Sequence, residues 1–202
     1  MMLQRALILA SVALLAGPAA AGTTWDIDPA HTSVQFAVRH MMISTVRGDF
    51  GKVTGTVAAD DKDLSRSKVQ ATIDAASIDT REPKRDEHLK SPDFFDVARF
   101  PTITFVSKKI EPAGAGKWKM TGDLTLHGVT REVVLDVEAP GTTVKDPMGK
   151  TRSGARATTK INRKDFGIVW NKALDGGGIA VGDDVDVVID VEGVQNTGAA
   201  GG

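Results

Sequence analysis

The sequence predicts an all-β fold: an eight-stranded antiparallel lipocalin-like β-barrel with a short helix near residues 83–91. Three observations carry this expectation. Apolar and polar residues alternate with period two along nearly the whole chain, turn-forming residues separate the alternating runs, and one segment reads as a helix instead. Successive side chains of a strand point to opposite faces, so each run has one apolar and one polar face. Closing such a sheet hides the apolar faces together and removes exposed edges.

The runs follow in order. Val34, Phe36, Val38 and His40 share a face opposite Gln35, Ala37 and Arg39. Val53, Gly55, Val57 and Ala59 form the second set, and Val69, Ala71, Ile73 and Ala75 the third. Ile103 and Phe105 lie between Thr102 and Thr104. Trp118, Met120, Gly122, Leu124 and Leu126 alternate with Lys119, Thr121, Asp123 and Thr125. Val133, Leu135 and Val137 face away from Asp136 and Glu138. Ala155, Ala157, Thr159 and Ile161 form the seventh set. The last is the clearest, with Val185, Val187, Ile189 and Val191 against Asp184, Asp186, Asp190 and Glu192.

Turns are expected at Asp60–Asp63, Pro112–Gly114, Pro140–Gly141 and Asp146–Gly149. Asp26 and Asp28, in WDIDPAH, read as turn caps. Residues 83–91, PKRDEHLKS, open on Pro and continue with helix formers, which predicts a short helix. Residues 175–178, DGGG, predict an irregular loop.

An eight-stranded barrel is just filled by its own side chains or just wide enough for one small ligand. The small residues Gly55, Ala71, Ala75, Gly122, Ala155 and Ala157 fall on the inward sets. Alternation leaves both a ligand cavity and a packed core open.

The N-terminus predicts the compartment. One positive charge, Arg5, precedes an uncharged run from Ala6 to Ala16, and Ala19–Ala21 supply small residues for cleavage before Gly22. This is the layout of a secretory signal peptide over residues 1–21. The run falls short of the ~20 apolar residues that span a bilayer. The remaining boundaries are a barrel domain over 22–195 and a disordered tail over 196–202.

Composition excludes several classes. There are no cysteines, which removes thiol catalysis, thiolate metal sites, structural disulfides and a lipoprotein anchor. The net charge is −1 and no basic stripe stands out, against nucleic acid as a partner. No basic amphipathic helix points to a membrane surface, and no stable membrane insertion is expected. The four histidines, His31, His40, His88 and His127, lack zinc-site spacing, so no metal is expected. The chain has no GxSxG elbow, and DGGG lacks the Lys and Ser/Thr of a P-loop. No catalytic residue and no cofactor are expected.

One polar cluster remains. Arg81, Lys84, Arg85, His88 and Lys90 lie close in sequence to Asp93, Phe94, Phe95 and Phe100. On a helix from Pro83, Arg85 and His88 share a face, with Leu89 placed to anchor the helix. The cluster reads either as a solvated charged helix with Arg85 paired to local acids, or as a cationic lip beside an apolar mouth.

Several blocks resemble the YceI family. Residues 25–55, WDIDPAHTSVQFAVRHMMISTVRGDFGKVTG, resemble its opening strands. Residues 77–107, SIDTREPKRDEHLKSPDFFDVARFPTITFVS, resemble its most specific block. GDLTLHGVTREVVLDV (122–137), KINRKDFGI (160–168) and VGDDVDVVIDVEGVQ (181–195) resemble the later strands. Thr32 interrupts the usual His-Ser pair, and Val53 replaces a frequent Phe.

The resemblance implies a periplasmic barrel that holds a polyprenyl phosphate or isoprenoid quinone in its lumen. It also implies a carrier or sequestering role, an association with stress in some members, and a possible homodimer. It brings no catalytic residues. By alternation, the expected lumen contacts are Phe36, Val38, Val57, Ile73, Phe105, Met120, Gly122, Leu124 and Val187, with His40, Arg85 and His88 near the head group. The alternatives are an enzyme modifying such a lipid through His40 or His88, and a stress-related interaction module with a filled core.

Overall fold

The computed structural model describes residues 22–139 and 141–197. The expected signal peptide and most of the expected tail lie outside them. Of that tail, Asn196 and Thr197 are described, and the Asn196 N–H donates to the Thr24 carbonyl at 2.8 Å.

Among the described residues the fold has twelve strands, one α-helix and three short 3₁₀ turns. The strands are β1 (Thr23–Ile27), β2 (Ser33–His40), β3 (Ser44–Phe50), β4 (Val53–Ala59), β5 (Lys68–Asp74) and β6 (Ile78–Asp79). The helix α1 (Pro83–Lys90) follows. Then come β7 (Thr102–Gly114), β8 (Lys117–Leu126), β9 (Val129–Glu138), β10 (Thr143–Lys145), β11 (Thr151–Asn162) and β12 (Val181–Gln195).

Eight strands close a ring in the order β1, β4, β5, β7, β8, β9, β11, β12 and back to β1, every pair antiparallel. The predicted barrel is therefore present. Its membership differs at one place, because the run at 34–40 is not in the ring. That run is β2, which pairs with the first part of β12 while β1 pairs with its last residues. From β2 a branch of β3 and β6 continues the wall on one side. At five residues, β1 is too short to show a period-two signal.

The seam between β9 and β11 is one of two short junctions in the ring, the other being β1 against β12. It is paired only at Arg156–Thr158 against Asp136–Glu138. The Thr159 hydroxyl adds a bond across it to the Val134 carbonyl, 2.8 Å. The expected turn at Pro112–Gly114 is instead the end of β7, where two register irregularities let the strand pass through Pro112. The chain reverses at Ala115–Gly116, where Gly116 has φ 67°. Asp26 is likewise part of β1 and not a cap, whereas Asp28 accepts the Ala30 N–H at 2.9 Å as expected.

Helix α1 begins as its sequence predicts. Pro83 occupies the first turn, and Glu82 accepts the Lys84 N–H through its side chain. Leu89 packs onto the buried cluster that includes Phe50, Ile78 and Phe94. This places α1 at the end of the barrel where β12 begins, called here the helix end. β12 finishes at the opposite, or far, end.

Candidate functional site: an apolar lumen with two polar openings

Residues opposed in register share a face, so ladder pairs fix which side chains point inward. Phe36 opposes Val187, Val38 opposes Val185, and Val57 opposes both Trp25 and Val69. Ile73 opposes Val53 and Ile103, and Phe105 opposes Ala71 and Leu124. Met120 opposes Ile110 and Leu135, while Gly122 opposes Val133. The register thus places seven of the nine residues expected to line the lumen on the inward side of the ring, among mostly apolar partners, and Phe36 and Val38 on the same side of the adjoining β2.

That face is buried in two clusters and half-buried elsewhere. One cluster, with Ile27, Phe50, Val53, Ile103, Leu126 and Phe166, reaches the helix end. The other, with Ile110, Met120, Leu135, Val137 and Ala157, lies toward the far end. Phe36, Ile73, Leu124 and Val187 pack against the first cluster and Phe105 against the second, and all five keep part of their surface accessible. Met120 belongs instead to a buried cluster. Among the described residues, the Trp118 indole N–H is buried without an acceptor, a cost of about 1–3 kcal/mol.

Gly122 does not leave the space that its missing side chain suggested. A Cβ there would come within 2.4 Å of the Phe105 ring and 2.6 Å of the Val106 carbonyl oxygen. The ring of Phe105 fills that volume, so Gly122 admits its neighbour and not a ligand. Gly55 is similarly constrained, with the Gln70 carbonyl oxygen 2.1 Å from an added Cβ.

The three residues expected at the head group do not converge. Arg85 points back to Thr80, with Nε donating to Oγ1 at 2.7 Å and Nη2 to the carbonyl at 2.8 Å. It is thus anchored on a buried threonine, not on an acid. Arg85 joins Arg47, Arg81, Thr80 and Phe36 around a cavity of about 530 Å³. His88 faces elsewhere: its Nε2 is 2.8 Å from Asp93, and its ring meets Phe94 and Trp170 edge-on, each at 5.0 Å. His40 ends β2 opposite Ser44 and Val181. The sharing of a helix face by Arg85 and His88 said nothing of tertiary partners. Arg81 belongs to the polar cluster seen in the sequence, whereas Arg47 was missed because it lies on β3, far from that cluster in sequence.

The far end has a second cavity, about 790 Å³, where β9 and β11 part. Ala155 and Val191 contribute apolar surface, and Lys117, Glu138, Arg152 and Glu192 contribute charge. Beside it lies an ion-pair network that period-two patterning could not show. Arg152 Nη1 is 2.6 Å from both Asp28 and Glu192, and its Nε is 2.7 Å from Asp146. His31 Nδ1 lies 2.9 Å from Asp28. Arg152 and then His31 hold the Asp28 carboxyl far below the usual carboxylate range, and Arg152 also lowers that of Asp146. Asp28, His31 and Glu192 come close enough to share a cation. Arg152 already donates to both carboxylates, so these residues fit a structural network better than a metal centre.

These features define a class: a closed antiparallel β-barrel with an apolar interior and charged openings. The YceI-like domain model matches residues 25–193, and the chain belongs to that family. A UPF0312 protein of Staphylococcus aureus is 42% identical over 164 residues, covering 81% of this chain and 92% of the relative. The Campylobacter jejuni YceI protein is 34% identical with a TM-score of 0.65, covering 77% of this chain and 88% of that one. Burkholderia cenocepacia BcnA is 26% identical with a TM-score of 0.69, covering 82% and 98%. A polyisoprenoid-binding domain from Saccharophagus degradans shares the fold at 14% identity, with a TM-score of 0.63 and coverage of 85% and 98%.

Proposed function

We propose that this protein binds a long-chain isoprenoid lipid, a polyprenyl phosphate or an isoprenoid quinone, in the barrel lumen and carries or sequesters it in the periplasm. One observation carries the reading: the inward face of the closed ring is mostly apolar, with Arg131, Thr159 and Ser107 as polar exceptions, and Ile73, Phe105, Leu124 and Val187, with Phe36 on the adjoining β2, remain half-buried. Burying a methylene gains about 0.8 kcal/mol, so a branched hydrocarbon tail can be held there without directed polar contacts. The Saccharophagus degradans domain of the same fold is described as polyisoprenoid-binding, which supports this class of ligand. The N-terminal segment motivates the compartment. We favour a binding protein over an enzyme, because the His88 ring is taken up by Asp93, Phe94 and Trp170 while His40 ends β2 opposite Val181.

Native mass spectrometry of protein purified from its own periplasm tests the proposal. The expected result is a retained species with the mass of an isoprenoid lipid, released on activation. A homogeneous unliganded mass, with no uptake from excess polyprenyl phosphate or quinone, would refute it.

A further inference from the structure

An isoprenoid long enough to fill a barrel is insoluble in water and resides in a bilayer, so a carrier must meet a membrane surface to load. This inference rests on the proposed function. It starts from the turn between β2 and β3, residues 41–43, where three consecutive apolar side chains project outward. Met41, Met42 and Ile43 are 41%, 56% and 80% exposed. Met41 and Met42 also have φ of 50° and 62°, the left-handed region that Gly or Asn adopts at lower cost. An apolar pair at these positions sacrifices both solvation and backbone ease.

The turn is firmly framed. The Met41 N–H donates to the Ala180 carbonyl and the Ala180 N–H to the Lys172 carbonyl, 2.8 and 2.9 Å. Val181 opposes His40 and is held by the Asn171 side chain. The same end carries Val169, 63% exposed. Arg39 lies directly behind the tip, its Nη2 donating to the Met42 carbonyl at 2.6 Å. Exposed Lys172 adds a second cation beside it. On the stretch of β12 that faces Arg39, between Val181 and Val185, Asp183 is already paired with Lys164 and Arg163, which leaves Asp184. Val38 and His40 continue the inward face of β2 up to the tip, so the turn adjoins the lumen's helix-end rim.

We propose that the turn at 41–43 is a membrane-docking tip. Met42 and Ile43 insert into the interface of a lipid bilayer, with Arg39 and Lys172 against anionic head groups, and so set the helix end of the lumen on the lipid source. Exposed apolar side chains flanked by two cations suit an anionic bilayer, where the apolar groups enter the interface and the cations meet the head groups.

Vesicle flotation tests this with phosphatidylcholine vesicles and with vesicles containing phosphatidylglycerol. The full chain is expected to float with the anionic vesicles, less at high salt, and Ile43→Asp to partition about tenfold more weakly. Ile43→Trp is expected to shift its emission to the blue on vesicle addition and to be quenched by brominated lipid. Native mass spectrometry after loading from detergent separates the two readings. Ile43→Asp should retain isoprenoid as the parent does, while taking it up from vesicles more slowly. Parent protein that loads from detergent but does not float, or Ile43→Asp that floats unchanged, overturns the docking tip and leaves lumen binding intact. A variant that alters only the oligomeric mass, with flotation unchanged, assigns the tip to self-association and overturns the proposal as well. Flotation with no isoprenoid retained under any loading refutes the lumen reading instead.

Discussion

Arg163 shows how one side chain holds the long connection between β11 and β12. It is 4% exposed, and its guanidinium donates to the carbonyls of Gly182, Ile168 and Trp170, each at 2.8 Å. Burial pushes its pKa down and Asp183 pushes it up, but a guanidinium stays charged in a protein. Arg163→Met is expected to leave these buried carbonyls unpaired and to cost about 3–5 kcal/mol. The check is the midpoint of urea unfolding. Arg163→Lys should recover only part of the loss, because an ammonium cannot span three carbonyls in the plane of a guanidinium. Arg152 makes a different prediction. Its carboxylate partners Asp28 and Asp146 are held below their ordinary value of 3.8. A carboxyl with a depressed folded pKa is protonated first in the unfolded chain. The stability it contributes is therefore present above pH 3.8 and is lost as pH falls through the folded value. Arg152→Gln is expected to lower stability near neutral pH and to flatten its decline below pH 4, a region bounded by the ordinary carboxylate pKa of ~3.9. Thermal unfolding at a series of pH values measures both effects; a parallel decline in parent and variant would exclude Arg152 as the cause.

At the scale of elements, α1 is the segment whose role was hardest to read and is simplest to test. Its existence followed from Pro83 and a run of helix formers, and its anchor from Leu89. Its chemistry did not follow, because sequence spacing places Arg85 and His88 on one face while tertiary contacts send them to Thr80 and to Asp93. Strand faces behaved differently. Alternation fixed the inward direction of residues as far apart as Phe36 and Val187, since period two leaves only two choices. It could not reveal the branch at β12, the passage of β7 through Pro112, or the filling of the space at Gly122 by Phe105. Each of these depends on a pairing or packing partner distant in sequence. The three arginines near α1 yield the element's prediction. A phosphate head group gains from charge-assisted hydrogen bonds, whereas a quinone carbonyl needs only a neutral donor. Arg85→Gln should weaken polyprenyl phosphate by about tenfold, with a smaller change in salt dependence remaining, and quinone little. Equal binding of both ligands by parent and variant would make Arg85 a brace for Thr80 alone.

At the scale of the whole molecule, a closed ring with an apolar interior can hold a ligand only where its own side chains leave space. Large side chains seal that interior in two clusters, one reaching the helix end around Phe50 and Phe166 and one toward the far end around Met120 and Leu135. Filling a lumen should therefore be attempted at a small inward residue that no neighbour already covers. Gly122 fails this condition because of Phe105. Ala155 meets it: it lies on the inward set of β11 opposite Val191, is half-buried, and borders the cavity where β9 and β11 separate. Ala155→Phe would extend a ring into that space from the edge of the far-end cluster, on which Ala155 packs. The short β9–β11 seam lets the two strands part slightly around the new side chain, so the barrel is expected to remain folded. A native circular dichroism spectrum and a stability change of no more than about 1–3 kcal/mol, the usual range for overpacking, would establish this. Lipid retention should then fall, and fall most for the longest tails, because the substituent shortens the available lumen and leaves the helix end untouched. If folded Ala155→Phe retained long and short isoprenoids as the parent does, the tail would not reach the far end. The binding volume would then lie between Phe36 and Leu124 alone.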